Sequence, residues 1–143
     1  MPSELPDLLE AGTLNVPGIA GLQAGLRYVQ NIGTEEILQR QLRQQRRCAA
    51  ALADLGCRVF SGESQSGTVS FLPPGDCEEF AELLAAEGVA VRAGLHCAPL
   101  AHESAGTLET GTVRLSFGHE ASDRQTDRFL EIITTGKTKK YFQ

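Results

Sequence analysis

The stretch "GTVSFLPPGDCEEFAELLAAEGVAVR" limits the possible folds more than any other part of the chain. Residues 67–72 alternate in the manner of a strand. Pro73, Pro74 and Gly75 cannot extend it, so it must end there. Asp76 is placed to cap a helix, with Glu79 as its capping-box partner. Phe80, Leu83 and Leu84 form the apolar side of that helix, and Gly88 is its C-cap. "VAVR" (89–92) then predicts a further strand. Short strands this close to a short helix leave room for few architectures.

The remaining segments fit the same plan. Ile19, Leu22, Leu26 and Val29 recur at helical spacing between Pro17, suited to a first turn, and Gly33. Thr34 opens a longer helix with Glu35 and Glu36 against its positive end, and Gly56 closes it. Leu38, Leu42, Ala49 and Leu52 trace its apolar stripe, while "QRQLRQQRR" reads as a solvated face. "CRVFS" (57–61) and "TVRLSF" (112–117) predict strands. Ser122 with Gln125 caps a final helix carrying Phe129, Leu130, Ile132 and Ile133. The expected fold class is α+β: a two-layer domain with a small, mainly antiparallel sheet and helices packed on one side.

At 143 residues the chain is one domain by size. Its net charge of −5 argues against nucleic acid or an anionic membrane as the main partner. No apolar run approaches a membrane span, and "MPSELPDLLEAG" does not read as a signal peptide. The cysteines, Cys48, Cys57, Cys77 and Cys97, show no C-x-x-C pair, so neither a zinc knuckle nor a disulfide scaffold is expected. A reducing, cytoplasmic location follows as an expectation.

Chemistry concentrates in "RAGLHCAPLAH" (92–102). A thiolate is the reactive form of cysteine, and nearby positive charge favours it. Arg92 and His96 flank Cys97, and Gly94 lets the chain bend just after a strand. Three interpretations stay open on spacing alone: a nucleophile, a structural thiol, or a metal ligand with His96, His102 and His119. The metal set is the weakest, because adjacent residues diverge and the spacing is irregular. Arg114, inside an apolar strand, is either a surface arginine with its stem on the sheet or a planar clamp for a carboxylate.

"VAVRAGLHCAPLAH", with "GTVRLSFG" after it and "LEAGTLNVPGIAGLQAGLRYV" before it, resembles the C-terminal part of group II cysteine desulfurases and selenocysteine lyases. These are pyridoxal-phosphate enzymes of aminotransferase class V. The likeness runs from about Leu5 to Ile133. It implies the small C-terminal domain of a fold-type I enzyme. Cys97 would accept sulfur from L-cysteine as a persulfide, and alanine would leave. Arg114 would hold the substrate carboxylate, with Arg92 in support. Gly12 and Thr13 would reach the cofactor phosphate of the neighbouring subunit of a homodimer. His96 fits the motif and receives no proton-transfer role.

Three organisational expectations follow from the resemblance. Residues 1–16 are a lead-in from a larger domain that this chain lacks, 17–135 form the small domain, and 136–143 are a tail such as a protease-cleavable tag leaves. Lys137, Lys139 and Lys140 all lie in that tail, away from where the family's Schiff-base lysine stands. The chain alone is therefore expected to bind no pyridoxal phosphate and to lack activity. A sulfur-acceptor protein is a further implied partner. Leu95, where desulfurases often carry a second histidine, leaves cysteine, selenocysteine or another class V substrate open. A non-enzymatic thiol module is the alternative.

Overall fold

The structure, a computed structural model, describes residues 3–10, 12–62, 64–135, 138 and 141–142. The described residues form two compact units, divided between Glu36 and Ile37.

In the first unit, a single 3-10 turn at Asp7–Leu9 precedes helix α1 (Val16–Ile32). Asn15 caps α1 by accepting a hydrogen bond from the Gly18 N–H at 3.0 Å, and Pro17 occupies its first turn. The apolar stripe lies on this helix as expected, yet no residue of α1 is buried, and Leu22 is 64% exposed.

Helix α2 (Thr34–Asp54) leads into the second unit. Strands β1 (Arg58–Phe60), β2 (Thr68–Leu72) and β3 (Val113–Ser116) form an antiparallel sheet in the order β1-β2-β3. Register pairs Val59 with Phe71 and Val69 with Leu115. The period-2 alternation buries Val69, Phe71, Val113 and Leu115 on one face. Against that face pack Cys48 and Leu52 of α2, Phe80 and Leu84 of α3 (Cys77–Ala86), and Phe129, Ile132 and Ile133 of α5 (Asp123–Thr135). Phe71 and Phe80 meet edge to face at 5.9 Å. Each such buried ring stabilises the fold by roughly 1.5–3 kcal/mol. The opposite sheet face carries Ser70 paired with Arg114. The expected α+β layering is what forms.

Several local expectations need correction. Residues 89–92 do not form a strand. The Val89 N–H bonds back to the Leu84 carbonyl to finish α3, and only Arg92 reaches the sheet, bridging Arg114. The loop after Cys97 contains a helix, α4 (Pro99–Ala105), begun by Pro99 and ended by the left-handed Gly106. The "QRQLRQQRR" run is not solvated throughout: Gln44 and Gln45 are buried, and the Gln44 amide donates to the Asp123 carboxylate at 2.7 Å. Asp76 caps α3 by accepting from the Glu78 and Glu79 N–H groups, but Glu79 accepts instead from the Tyr141 hydroxyl.

Three described residues of the tail, 138, 141 and 142, also pack onto the fold. Tyr141 and Phe142 each stack edge-on against Phe80 at 5.8 Å, and the buried Thr138 hydroxyl donates to the Ile132 carbonyl. The lysines at 137, 139 and 140 lie outside the described residues.

Candidate functional site

The edge of the sheet sets the position of the reactive loop. Arg92 and Arg114 exchange two backbone hydrogen bonds, at 3.2 and 2.7 Å. One step further, Gly94 and Thr112 exchange another two, both at 3.1 Å. The chain then bends. Gly94 has φ +103, and the Ala98 N–H closes a turn onto the Leu95 carbonyl at 2.9 Å. Both central residues of that turn, His96 (φ +52) and Cys97 (φ +59), are left-handed. This backbone hand favours glycine, asparagine or aspartate. A bulkier residue held there costs on the order of 1–3 kcal/mol, and such strain collects at functional sites.

Cys97 stands exposed on the turn, whereas Cys48, Cys57 and Cys77 are buried. Burial pushes the Cys48 and Cys57 thiols up to about 12, and raises that of Cys77 as well. Three of the four thiols are thus withdrawn from thiolate chemistry by the core itself.

The turn is held from below by its own histidine. The His96 Nε2–H donates to the Thr112 carbonyl at 3.1 Å, which leaves Nδ1 as an acceptor, buried and without a hydrogen bond. Burial lowers the His96 pKa from its ordinary value, and the charges of Arg114, His102 and Arg92 lower it further. Arg92, His102 and Arg114 are therefore each within electrostatic reach of His96. Arg92 is exposed. Arg114 is half-buried, and its Nε–H has no partner.

Gly111, Thr107 and Thr112 are site residues that the motif does not point to. Gly111 has φ +64, and a Cβ added there would lie 2.8 Å from the Gly94 Cα. The two glycines let two backbones touch beneath the cysteine turn. The glycine directly before the strand, in "TGTVR", is the only sequence signal for this.

Gly12 and Thr13 form an exposed bend in the first unit and are described there alone. His119 lies 3.5 Å from the Glu120 carboxylate. His102 is buried with its Nδ1 2.8 Å from the Thr107 hydroxyl. Among the described residues, no three histidine, cysteine or acidic side chains gather as metal ligands. A cavity of about 730 Å³ between β3 and α5, lined by Leu115, Phe117, Arg124 and Phe129, contains no cysteine or histidine.

A pyridoxal cofactor needs an amine to hold its aldehyde. No lysine lies among the described residues. The described residues do not fit the cofactor's own anchorage.

The family model of aminotransferase class-V matches residues 2–129. A probable cysteine desulfurase of Xylella fastidiosa is 34% identical over 131 residues, 90% of this chain and 31% of that protein. One from Pyrococcus abyssi is 32% identical, over 92% of this chain and 33% of its own length. The apo cysteine desulfurase of Thermococcus onnurineus superposes with a TM-score of 0.85 at 32% identity, covering 93% of this chain and 34% of that one. The Escherichia coli cysteine desulfurase CsdA, in an S-sulfonic acid form, gives 0.81 at 30% identity, over 90% and 32%. The chain thus spans about a third of the length of the relatives it matches. With nearly its whole length matched by the family model, the chain belongs to aminotransferase class-V.

Proposed function

We propose that this chain supplies the sulfur-accepting cysteine and the carboxylate clamp of a cysteine desulfurase. The observation that carries the proposal is the exposed Cys97 in a left-handed turn that follows the backbone pairing of Arg92 with Arg114. The relatives' names supply L-cysteine as the substrate.

In this reading, the unpartnered Arg114 Nε–H belongs to a guanidinium that takes the substrate carboxylate in bidentate fashion. Arg92 adds positive charge on the exposed side. The Cys97 thiolate attacks the substrate sulfur, so an S–S bond forms as the C–S bond breaks. L-cysteine and the enzyme thiol give L-alanine and the enzyme persulfide, with no outside oxidant or reductant. His96 keeps the turn in place through Thr112. The class V family works with pyridoxal phosphate as an electron sink. Its anchorage is assigned to the part of the parent protein beyond this chain. Gly12 and Thr13, exposed on their bend, are free to reach a second subunit's cofactor phosphate. The parent is accordingly a homodimer, acting in the cytoplasm and passing sulfur to an acceptor protein. Among the described residues, no helix is long and apolar enough to cross a membrane.

The test uses the 143-residue chain and cysteine persulfide as a small sulfur donor. Peptide mass spectrometry is expected to find one added sulfur atom on Cys97, lost in Cys97→Ala. Sulfur on Cys48, Cys57 or Cys77 instead, or equal uptake by Cys97→Ala, would overturn the assignment.

A further inference from the structure

His102 lies outside the sulfur chemistry, yet it is hydrogen-bonded to Thr107, which opens the bend beneath the cysteine turn. Its side chain is buried on α4, at 7% exposure. The Thr107 hydroxyl oxygen lies 2.8 Å from His102 Nδ1 and 3.4 Å from the His102 carbonyl; the shorter contact is a side-chain hydrogen bond whose direction follows the imidazole tautomer. The Thr107 N–H also donates to the His102 carbonyl at 2.8 Å. Thr107, at 1% exposure, is sealed against the imidazole.

From Thr107 the path runs directly under the turn. The Thr107 carbonyl accepts from the Gly111 N–H at 2.8 Å, fixing a tight bend over 107–111. That bend presses Gly111 against Gly94 and delivers the Thr112 carbonyl to both the Gly94 N–H and His96 Nε2. The segment from 94 to 102 is thus clamped to the segment from 107 to 112 at two ends. Gly94 and His96 form one clamp and His102 the other. Two adjacent left-handed non-glycine residues persist only where their surroundings over-determine them.

We propose that His102 is a positioning residue for Cys97, acting through the Thr107 hydroxyl and the 107–112 bend. The functional part of this inference rests on Cys97 being the sulfur acceptor, while the backbone part does not. His102→Asn keeps a hydrogen-bonding group near the position of Nδ1. His102→Leu keeps volume and removes the bond, and Thr107→Val deletes the same bond from the other side.

The experiment measures amide hydrogen exchange together with sulfur uptake from cysteine persulfide, on the 143-residue chain and these three variants. Loss of one buried hydrogen bond should speed exchange at Gly94 and Thr112 by roughly tenfold. It should slow Cys97 uptake by a similar factor in His102→Leu and Thr107→Val. The β2 amides of Val69 and Phe71 should keep their protection. His102→Asn should restore both the exchange and the uptake. Unchanged exchange at Gly94 and Thr112 in the foldable loss variant, equal acceleration across β2, or no recovery in His102→Asn would overturn the inference. If exchange behaves as expected while the unaltered chain takes up no sulfur, the clamp stands and the sulfur-acceptor reading falls.

Discussion

The two left-handed residues of the turn, half-buried His96 and exposed Cys97, are shaped by a glycine contact across the loop. Gly94 is legible in the sequence because a glycine between a strand-like segment and a cysteine marks a bend. Gly111 is not, because its reason is a backbone approach to Gly94 that no local pattern encodes. Gly111→Ala combines a left-handed alanine with a 2.8 Å clash against backbone. It should cost about 2 kcal/mol or more in urea unfolding. An unchanged midpoint would show that the two backbones can separate freely. His96 makes a second residue-scale prediction. Its pKa is lowered in the folded chain, chiefly by burial, from the ordinary 6.5. The unfolded chain therefore binds the proton more readily. Stability is fully present above that range and declines as pH falls through it. His96→Gln keeps a donor for Thr112 without a titrating ring. It should flatten the decline that sets in as pH falls below the ordinary histidine value of 6.5 in thermal-melt series. A decline as steep as in the parent chain would place the titration elsewhere.

At the scale of elements, patterns of period and capping are legible where one face meets the core. β1, β2, β3, α3 and α5 follow from alternation, from the Asp76 cap and from the Ser122–Gln125 box, in which each backbone N–H bonds the other's side chain. Asp76→Ala should lower stability by about 1 kcal/mol, read from the same urea curves. No change would mean that water replaces the cap. The polar middle of α2 is misleading because polarity there serves packing against α5. Gln44 is buried to reach Asp123, and Arg47 pairs with both Asp123 and Asp127. The Gln44 amide, followed by Arg43 and Arg47, holds the Asp123 carboxyl below its usual range. A depressed carboxylate contributes stability above its ordinary value, and this is lost as pH falls through the folded one. Asp123→Asn should therefore make the acid limb of the stability curve shallower. An unaltered limb would assign acid sensitivity to other carboxylates. α4 is hidden in the sequence because seven residues give too little periodicity, although Pro99 and Gly106 mark its ends. The 89–92 strand fails for the opposite reason. Its apolar residues do face the core, but the backbone at Val89 is spent on ending α3.

For the molecule as a whole, the motif around Cys97 and its flanking segments identify the family, because three separated strings in one order carry more information than any single periodicity. What the strings do not reveal is how the turn is supported. That depends on Thr107, Gly111, Thr112 and His102, which meet through backbone and buried polar contacts. Nor do they reveal that Tyr141 and Phe142 close over Phe80, since two aromatic residues after a basic tail have no period. The chain concentrates its exposed thiol chemistry at one turn while the core withdraws the other three cysteines. Limited alkylation of the folded chain with iodoacetamide near neutral pH, followed by peptide mapping, measures this directly. Cys97 should be modified to completion before Cys48, Cys57 or Cys77 shows label. Modification of any of those three at a comparable rate, with the circular dichroism of the fold retained, would contradict it.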